Sequence, residues 1–222
     1  MTDETPNIAQ QLEREWLELG AGIRQQKLEE IFMRVVEVAE TLLTESERAE
    51  ALSIHDQTDR DFIAAIEGLN EAQWTFKPGA RRWSIQQIAE HIVLVASLGT
   101  AGVEKALGQE FDPNVQEPAG LFDAMKLRVM DRSLRGRQAP EPVSPRGVWS
   151  VEETLQRFRQ MRSIARTLLE QPDAPLKSRA FALMPGTYNC HHWLILTSLH
   201  TRRHLAQIAE VKATERSEGF PS

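Results

Sequence analysis

The sequence predicts an all-α protein in which most of the chain forms one helical bundle. Apolar residues recur at steps of three and four along most of the chain, and no convincing run alternates between apolar and polar residues as a strand would. Hydrophobic residues make up 41% of the 222 residues, which is enough for one sizeable core with an appendage. We therefore expect five or six helices and no strand.

Charge and cysteine content narrow the choice of partners and compartment. The chain carries 32 acidic and 26 basic residues, a formal net charge of −6, so its overall field repels nucleic acids and favours small molecules or proteins as partners. Its single cysteine, Cys190, cannot form an intrachain disulfide. The acidic start "MTDETPNIAQQLEREW" differs from a secretory signal, and no apolar run approaches the roughly 20 residues of a membrane span. We expect a cytoplasmic protein without a membrane segment.

The first two helices divide the chain into an extension and a bundle. Region 7–45 carries one apolar face, which predicts an added helix with Leu28, Ile31, Phe32, Val35, Ala39 and Leu42 in a row. A second helix is expected from Ser46 to Glu67, with Gly68 as its stop signal. The expected parts are a helical extension, a bundle and a tail, at residues 1–45, 46–213 and 214–222.

The start of the third helix has the clearest signal in the chain. Ser84 can cap it, and Gln87 completes a capping box three residues later. Trp83 can pack on Ile88 as a hydrophobic staple. His91 follows Ile88 by three residues, so it belongs to the apolar stripe and is expected to face inward.

A long connection separates this helix from the next one. Prolines after Gly108 exclude one continuous helix, although Leu121–Arg132 can form a short one. Such a segment serves either as a lid or binding wall or as a plain crossover between bundle helices, and the sequence leaves both open. The next helix is expected to run to Glu170 from a second capping box, Ser150 with Glu153.

The last helix, expected over Asn189–Ala213, carries two histidines four residues apart. His200 and His204 project from the same face, close enough to hold one ion. Such spacing also occurs by chance, but buried imidazoles without partners would cost roughly 1–3 kcal/mol each, and a divalent metal satisfies them. An antiparallel bundle can bring His91 opposite this pair. Three imidazoles with a fourth position open to water are typical of a catalytic site.

Two segments resemble the DinB-like superfamily of metal-binding four-helix bundles over about Ser46–Ala213. The segment "GLNEAQWTFKPGARRWSIQQIAEHI" is similar to the family's Trp-Ser-x-x-x-x-x-x-His pattern, and "HHWLILTSLHTRRHLAQIAEVK" is similar to its His-x-x-x-His-x-x-Gln pattern. The resemblance implies a DinB-like four-helix bundle with a long crossover connection, here with an additional N-terminal helix. It also implies that His91, His200 and His204 bind a divalent ion such as zinc or nickel, and that thiol-dependent transferases and isomerases are relatives.

Several other polar residues have both a functional and a structural interpretation. Cys190 can act as a thiolate, but free cysteine is more often a small buried apolar group. His191 and His192 lie too far along the helix from His204 to share its ion, so solvent-facing or capping roles are expected. His55 lies on the first bundle helix and can approach the site.

Three further side chains are candidates for the surroundings of the ion. Gln207 shares the histidine face and can bind either a ligand imidazole or a neighbouring helix. Glu90 and Glu210 can serve either as carboxylates that support the ligand histidines or as general bases, although glutamates beside an apolar stripe usually remain in water. Neither glutamate is predicted as a site residue.

Two classes of function follow from these observations. The first is a metal-dependent enzyme acting on a small molecule, either a hydrolase or a thiol S-transferase with a low-molecular-weight thiol, the thiol chemistry resting on the family resemblance. The second is a non-catalytic metal-binding or structural bundle that works through self-association, as a homodimer, or through a protein partner. An open coordination position favours chemistry, whereas a blocked one favours structure.

Overall fold

The computed structural model describes three stretches of the chain, residues 21–131, 139–183 and 186–218. The chain divides into two units, Met1–Thr41 and Leu42–Ser222. The first unit contains helix α1 (Ala21–Thr41), which confirms the additional N-terminal helix there; the predicted part before residue 21 lies outside the described residues. The side chains of Ile31, Phe32 and Met33 on α1 are exposed.

The second unit contains a bundle, a short hairpin and several short helical turns. Its elements in chain order are α2 (Glu45–Ile66), α3 (Glu71–Thr75), α4 (Ile85–Leu107), α5 (Leu121–Met130), a 3₁₀ turn (Glu141–Val143), α6 (Val151–Glu170), β1 (Ala180–Leu183), β2 (Gly186–Asn189) and α7 (Cys190–Glu218). None of the helices in the described stretches is long and apolar enough to cross a membrane.

Capping boxes begin three of the four long bundle helices. The Ser84 hydroxyl accepts from the backbone N–H of Gln87, whose side chain accepts from the N–H of Ser84. The same reciprocal pair begins α2 and α6, at Thr44–Glu47 and Ser150–Glu153. The predicted helix starts at Ser84 and Ser150 are therefore confirmed, and α2 begins one residue before its predicted start.

Helices α2, α4, α6 and α7 form a four-helix bundle, which confirms the predicted fold class. Both α2 and α4 pack against α6 and α7, so α2 and α4 occupy opposite corners. Helix α7 runs antiparallel to α4, since Thr197 lies beside Gly99 whereas His204 lies beside His91. The interface between α4 and α7 therefore joins the two halves of the sequence.

Polar residues of α7 lie between two separate hydrophobic clusters. One cluster includes the hairpin residue Tyr188 and four apolar residues of α7, Leu194, Ile195, Leu196 and Leu199. The other includes Ile85, Ile88 and Ile92 of α4 and, on α7, Ile208 and Val211. Histidines 200 and 204 lie along α7 between these clusters, so packing on either side fixes the helix that carries them.

The long connection between α4 and α6 packs along the last helix. Its short helix α5 contacts α7, and the predicted helix over Leu121–Arg132 is confirmed with an end at Met130. The guanidinium of Arg203 donates to the carbonyls of Val129 and Asp131, at the C-terminal end of α5. This contact ties the crossover to the same helix that carries His200 and His204.

The expectation of no strand is wrong for the segment before α7. Strands β1 and β2 form an antiparallel hairpin with Leu183 paired to Gly186. Each strand has four residues, and their side chains do not alternate cleanly between buried and exposed, so the period that identifies a strand is missing. Phe181 packs where Gly102 of α4 has no side chain, and Tyr188 is fully buried. Tertiary packing therefore stabilises the hairpin.

Candidate metal centre

Three histidines from two helices converge in the bundle. His91 comes from the second turn of α4, and His200 and His204 come from consecutive turns of α7. One nitrogen from each imidazole lies within 4.8 Å of the other two. His91 and His204 are buried at 6% and 8% exposure, and His200 is partly buried. No cysteine or carboxylate of the described residues joins this group.

The close approach of α4 and α7 depends on a residue without a side chain. A Cβ atom added at Gly99 would lie 2.7 Å from the methyl carbon of Thr197. Real Cβ atoms do not come this close to a neighbour, so a larger residue at Gly99 would push the helices apart. Glycine here brings the α4 backbone close enough for His91 to reach the α7 pair.

The backbone of the crossover fixes the proton of His91. Its Nδ1 lies 2.7 Å from the carbonyl oxygen of Val143. A carbonyl only accepts hydrogen bonds, so Nδ1 carries the proton and donates it, and Nε2 keeps its lone pair. A ligand histidine needs this tautomer when the metal binds at Nε2.

Gln207 has the same effect on His204. The Nδ1 of His204 donates to the side-chain oxygen of Gln207 over 2.8 Å, as the sequence allowed. The Nε2 atom of His204 faces Nε2 of His200 at 3.2 Å. In the described part of the chain, Nδ1 of His200 is buried without a hydrogen-bond partner. The Nε2 atoms of His91 and His204 therefore keep their lone pairs, whereas Nδ1 of His200 is an unsatisfied polar atom.

Burial favours the neutral, metal-binding form of His91 and of His200. It lowers the pKa of His91, against a smaller opposing effect of the Val143 carbonyl. It also places the pKa of His200 well below the ordinary value, and repulsion from protonated His204 and His91 adds to the effect. Neutral imidazoles are metal ligands, whereas imidazolium ions are not. The donor set therefore fits a divalent ion.

An aromatic side chain packs beside the three histidines. The ring centroid of Trp83 lies 5.0 Å from that of His91 and 6.4 Å from that of His204. Trp83 is partly buried and also packs against the core that includes Ile88, as expected of a staple. Its indole therefore shields one side of the centre from water.

The other histidines lie outside this group. His55 is buried and its Nε2 lies 3.1 Å from the carbonyl oxygen of Arg162, away from the three-histidine group. His191 is buried at 6% exposure, so a solvent-facing role is wrong for it; its backbone N–H pairs with the Leu176 carbonyl where the hairpin meets α7. His192 is partly buried, lies 2.7 Å from a carboxylate oxygen of Glu117, and does not reach the centre.

The thiol of Cys190 is not available as a nucleophile. The residue is fully buried within a hydrophobic cluster. Burial raises its pKa to about 12, although Arg179 opposes the rise. The structural interpretation as a small buried apolar group therefore fits Cys190.

Neither glutamate beside the histidines takes part in the group. A carboxylate oxygen of Glu90 accepts the backbone N–H of Gly147, and Glu90 is buried. Glu210 lies 3.7 Å from a guanidinium nitrogen of Arg82. Sequence reasoning missed the Val143 carbonyl, because a backbone oxygen leaves no signal in the residue type.

The comparisons with known proteins place the chain in a family. The model of the DinB superfamily matches residues 54–208, which contain all three histidines. This chain belongs to the DinB superfamily. One solved structure, described as "YfiT from Bacillus subtilis is a probable metal-dependent hydrolase with an unusual four-helix bundle topology", matches with 14% identity and a TM-score of 0.49, over 81% of this chain and 91% of that one. The search of curated proteins found no match.

Proposed function

We propose that this DinB-superfamily protein is a metal-dependent enzyme that acts on a small molecule. In this proposal His91, His200 and His204 hold one divalent ion, zinc or nickel, which activates either water or a low-molecular-weight thiol. The observation that carries it is the convergence of three imidazole nitrogens within 4.8 Å, with no fourth protein ligand among the described residues. Imidazole ligands suit zinc and nickel, and three-ligand sites are typical of catalysis.

The charge of the ligand set favours chemistry over a closed structural site. Three neutral imidazoles remove none of the ion's positive charge. A divalent ion so held acts as a Lewis acid that lowers the pKa of a water or thiol reaching it. The Val143 carbonyl and Gln207 hold the proton of two imidazoles on Nδ1, and Trp83 shields one side from water. In this proposal the chain orients the ligand imidazoles and partly excludes water from the metal centre.

Any thiol used in this reaction would come from outside the chain. Cys190 is buried and its pKa is raised to about 12, so it stays protonated at neutral pH. A low-molecular-weight thiol is abundant in a reducing compartment, which agrees with a cytoplasmic location for a chain of one cysteine. We therefore propose a cytoplasmic location. The candidate nucleophiles of the reaction are water and an external thiol.

The first test is the metal content of the protein. Untagged protein purified without added metal is analysed by element-resolved mass spectrometry, together with H91A and the double variant H200A/H204A. We expect about one divalent ion per chain in the wild type and a near-complete loss in both variants. H192A is the matched control, because His192 lies on the same helix outside the group and should leave the metal content unchanged.

The second test is turnover. Ester and amide substrates test hydrolysis, and electrophilic substrates with added small thiols test transfer. We expect a substrate whose turnover requires the loaded wild type and is lost in H204A. Full turnover in a metal-free H204A variant would exclude the mechanism, and a wild type that cannot be loaded with any divalent ion would exclude the metal centre.

A second candidate function is self-association through α1. Phe32 is 66% exposed, and the neighbouring Ile31 and Met33 are also more than half exposed, so this helix presents apolar side chains that no described residue of its own unit covers. Homodimerisation would cover them. We expect I31E/F32E to lower the mass measured by light scattering, whereas L127E, at a 78% exposed leucine of α5, should not. A monomeric wild type would rule the homodimer out.

A further inference from the structure

The last part of the crossover, residues 139–150, is hydrogen-bonded to two consecutive residues of α4, Glu90 and His91, and also to Gln86 one turn earlier. The carbonyl of Val143 accepts from Nδ1 of His91. The backbone N–H of Gly147 donates to the carboxylate of Glu90. One attachment therefore touches a proposed metal ligand, and the other lies one residue earlier on the same helix.

The attachment at Glu90 lies in a buried setting. Glu90 is 3% exposed, which is unusual for a glutamate unless its charge has partners. The backbone N–H of Gly147 supplies a hydrogen-bond donor to this carboxylate. The carboxylate of Glu90 therefore binds the crossover to α4. An apolar residue of similar size at position 90 could not accept the Gly147 N–H.

The crossover is tightly fitted where Glu90 holds it. Gly147 has φ +71°, a conformation that favours glycine, and an added Cβ would lie 3.2 Å from the side chain of Gln87. Two residues further on, the Trp149 carbonyl accepts from the side chains of Gln86 and Trp74, both at 2.9 Å. These contacts fix the path of the backbone on both sides of residue 148.

The peptide between the two attachments is short and stiff. Only three residues separate Val143 from Gly147, and one of them is Pro145, whose ring fixes its φ angle. The preceding 3₁₀ turn is closed by hydrogen bonds from Val143 to Pro140 and from Ser144 to Glu141, at 3.0 and 3.1 Å. A displacement at Gly147 is therefore transmitted to the Val143 carbonyl.

We propose that Glu90 is a positioning residue of the metal centre: through Gly147 it holds the Val143 carbonyl on His91 and so keeps the Nε2 lone pair of His91 directed at the other two histidines. This inference rests on the proposed function, because it assigns to Glu90 a role in metal binding. Glu90 itself does not contact the ion in this scheme. Without it, the His91 ring loses a fixed acceptor and populates both neutral tautomers.

The test compares variants that break the Glu90 contact with variants that keep it. E90L removes the acceptor, E90Q retains an acceptor oxygen, and G147A leaves Glu90 in place but strains the backbone that it holds. The matched controls are E104L, an exposed glutamate of α4, and G68A, a glycine of φ +77° with no neighbour near its added Cβ.

Two readouts separate positioning from folding. The first is the Co²⁺ affinity measured by competition with a chelator, with the visible spectrum of the Co²⁺ protein as a report on ligand geometry. We expect E90L and G147A to bind Co²⁺ roughly 10- to 100-fold more weakly, the usual effect of losing a partner of a ligand histidine, and E90Q to recover most of this loss. E104L and G68A should match the wild type.

The second readout is the tautomer of His91, measured by nitrogen-15 NMR in metal-free protein. We expect the Nδ1–H tautomer in the wild type and E90Q, and a mixture in E90L and G147A. A wild type that binds no Co²⁺ would rule out the proposed function. The positioning role of Glu90 would still be decided by whether the His91 tautomer differs between the wild type and E90L. E90L with wild-type Co²⁺ affinity and tautomer would overturn the inference, whatever its stability. If E90L does not fold, the same result for G147A overturns it.

Discussion

The bundle contains two buried polar clusters whose members are stabilised by different kinds of partner. The metal centre consists of His91, His200 and His204 between α4 and α7. The ionic cluster consists of His55, Asp59, Arg162 and Ser198 between α2, α6 and α7. Both contain histidines with lowered pKa values, yet their partners differ in kind.

The ionic cluster balances its charges within the protein. Arg162 is 1% exposed, and its Nε donates to a carboxylate oxygen of Asp59 at 2.6 Å. Its Nη2 donates to the His55 carbonyl at 3.2 Å and to the Ser198 hydroxyl at 3.0 Å. The guanidinium thus connects three helices and has a negative partner, as a buried charge requires.

The metal centre has no such internal balance. Its imidazole nitrogens face one another, and no carboxylate of the described residues joins them. Among the described residues, Nδ1 of His200 has no partner, whereas the polar atoms of its neighbours are held by Val143 and Gln207. The ionic cluster pairs its own cation with an anion, although Nδ1 of His55 and Nη1 of Arg162 also lack a hydrogen-bond partner among the described residues; a cluster of converging bases is completed by a cation.

Breaking the ionic cluster should give the largest loss of stability. R162A leaves the carboxylate of Asp59 partly buried without its cation, and such losses cost about 3–5 kcal/mol of unfolding free energy. Urea unfolding measures the loss. R159A is the matched control, since Arg159 lies on the same helix in an exposed contact with Glu67, and it should cost less than about 1 kcal/mol. Equal losses in the two variants would contradict the comparison.

Acid should weaken the ionic cluster next. Burial, with repulsion from Arg162, lowers the pKa of His55 from 6.5 to about 4 in the folded protein. The unfolded chain binds this proton near pH 6.5, so the stability contribution is complete above that pH and is lost as the pH falls towards 4. The loss from this residue is at most about 3 kcal/mol.

The variant H55Q isolates this contribution. In urea unfolding of metal-free protein, its stability should fall less steeply than that of the wild type between pH 6.5 and 4. H191Q should behave in the same way, because burial, together with repulsion from His192, also lowers the pKa of His191 from 6.5 to about 4. Identical slopes in wild type and H55Q would show that His55 is not held neutral by the fold.

Removing the metal should destabilise the protein by a smaller amount that depends on metal concentration. Binding to the folded state alone contributes about 2.7 kcal/mol when the free ion is at 100 times its Kd. We expect this difference between loaded and chelated wild type in urea unfolding. The variant H200A should show no difference, whereas R159A should retain it. A metal-dependent gain that survives in H200A would place the ion elsewhere.

The sequence predicts the elements whose signals are local. Ser84 and Ser150 cap helices because their partners lie three residues away, and His200 and His204 share a face because of helical spacing. Their meeting with His91 required only a bundle of the right topology. Arg162 gave no such signal, because its partners lie on other helices and its burial depends on their packing. The hairpin, too, depends on packing against Gly102 of α4.

Backbone groups were the least predictable part of the site. The Val143 carbonyl orients His91, but any residue at position 143 would offer a carbonyl. Gln207 could be predicted because its side chain carries the hydrogen bond and because it follows His204 by one helical turn. Val143 and Gln207 both orient a ligand histidine, but only Gln207 does so through a side chain that a substitution can remove. Gln207 therefore provides the direct test of that task.

The smallest expected effect is on metal affinity when Gln207 loses its polar group. Q207L keeps the size of the side chain but removes the acceptor for Nδ1–H of His204, so both neutral tautomers of His204 become accessible. We expect a Co²⁺ affinity roughly 10- to 100-fold weaker, measured by chelator competition, with a metal content that recovers at high Co²⁺. Q207E supplies a stronger acceptor and should bind at least as tightly as the wild type. Wild-type affinity in Q207L would mean that packing alone orients His204, and the centre would then depend on its hydrogen-bonded partners only at His91.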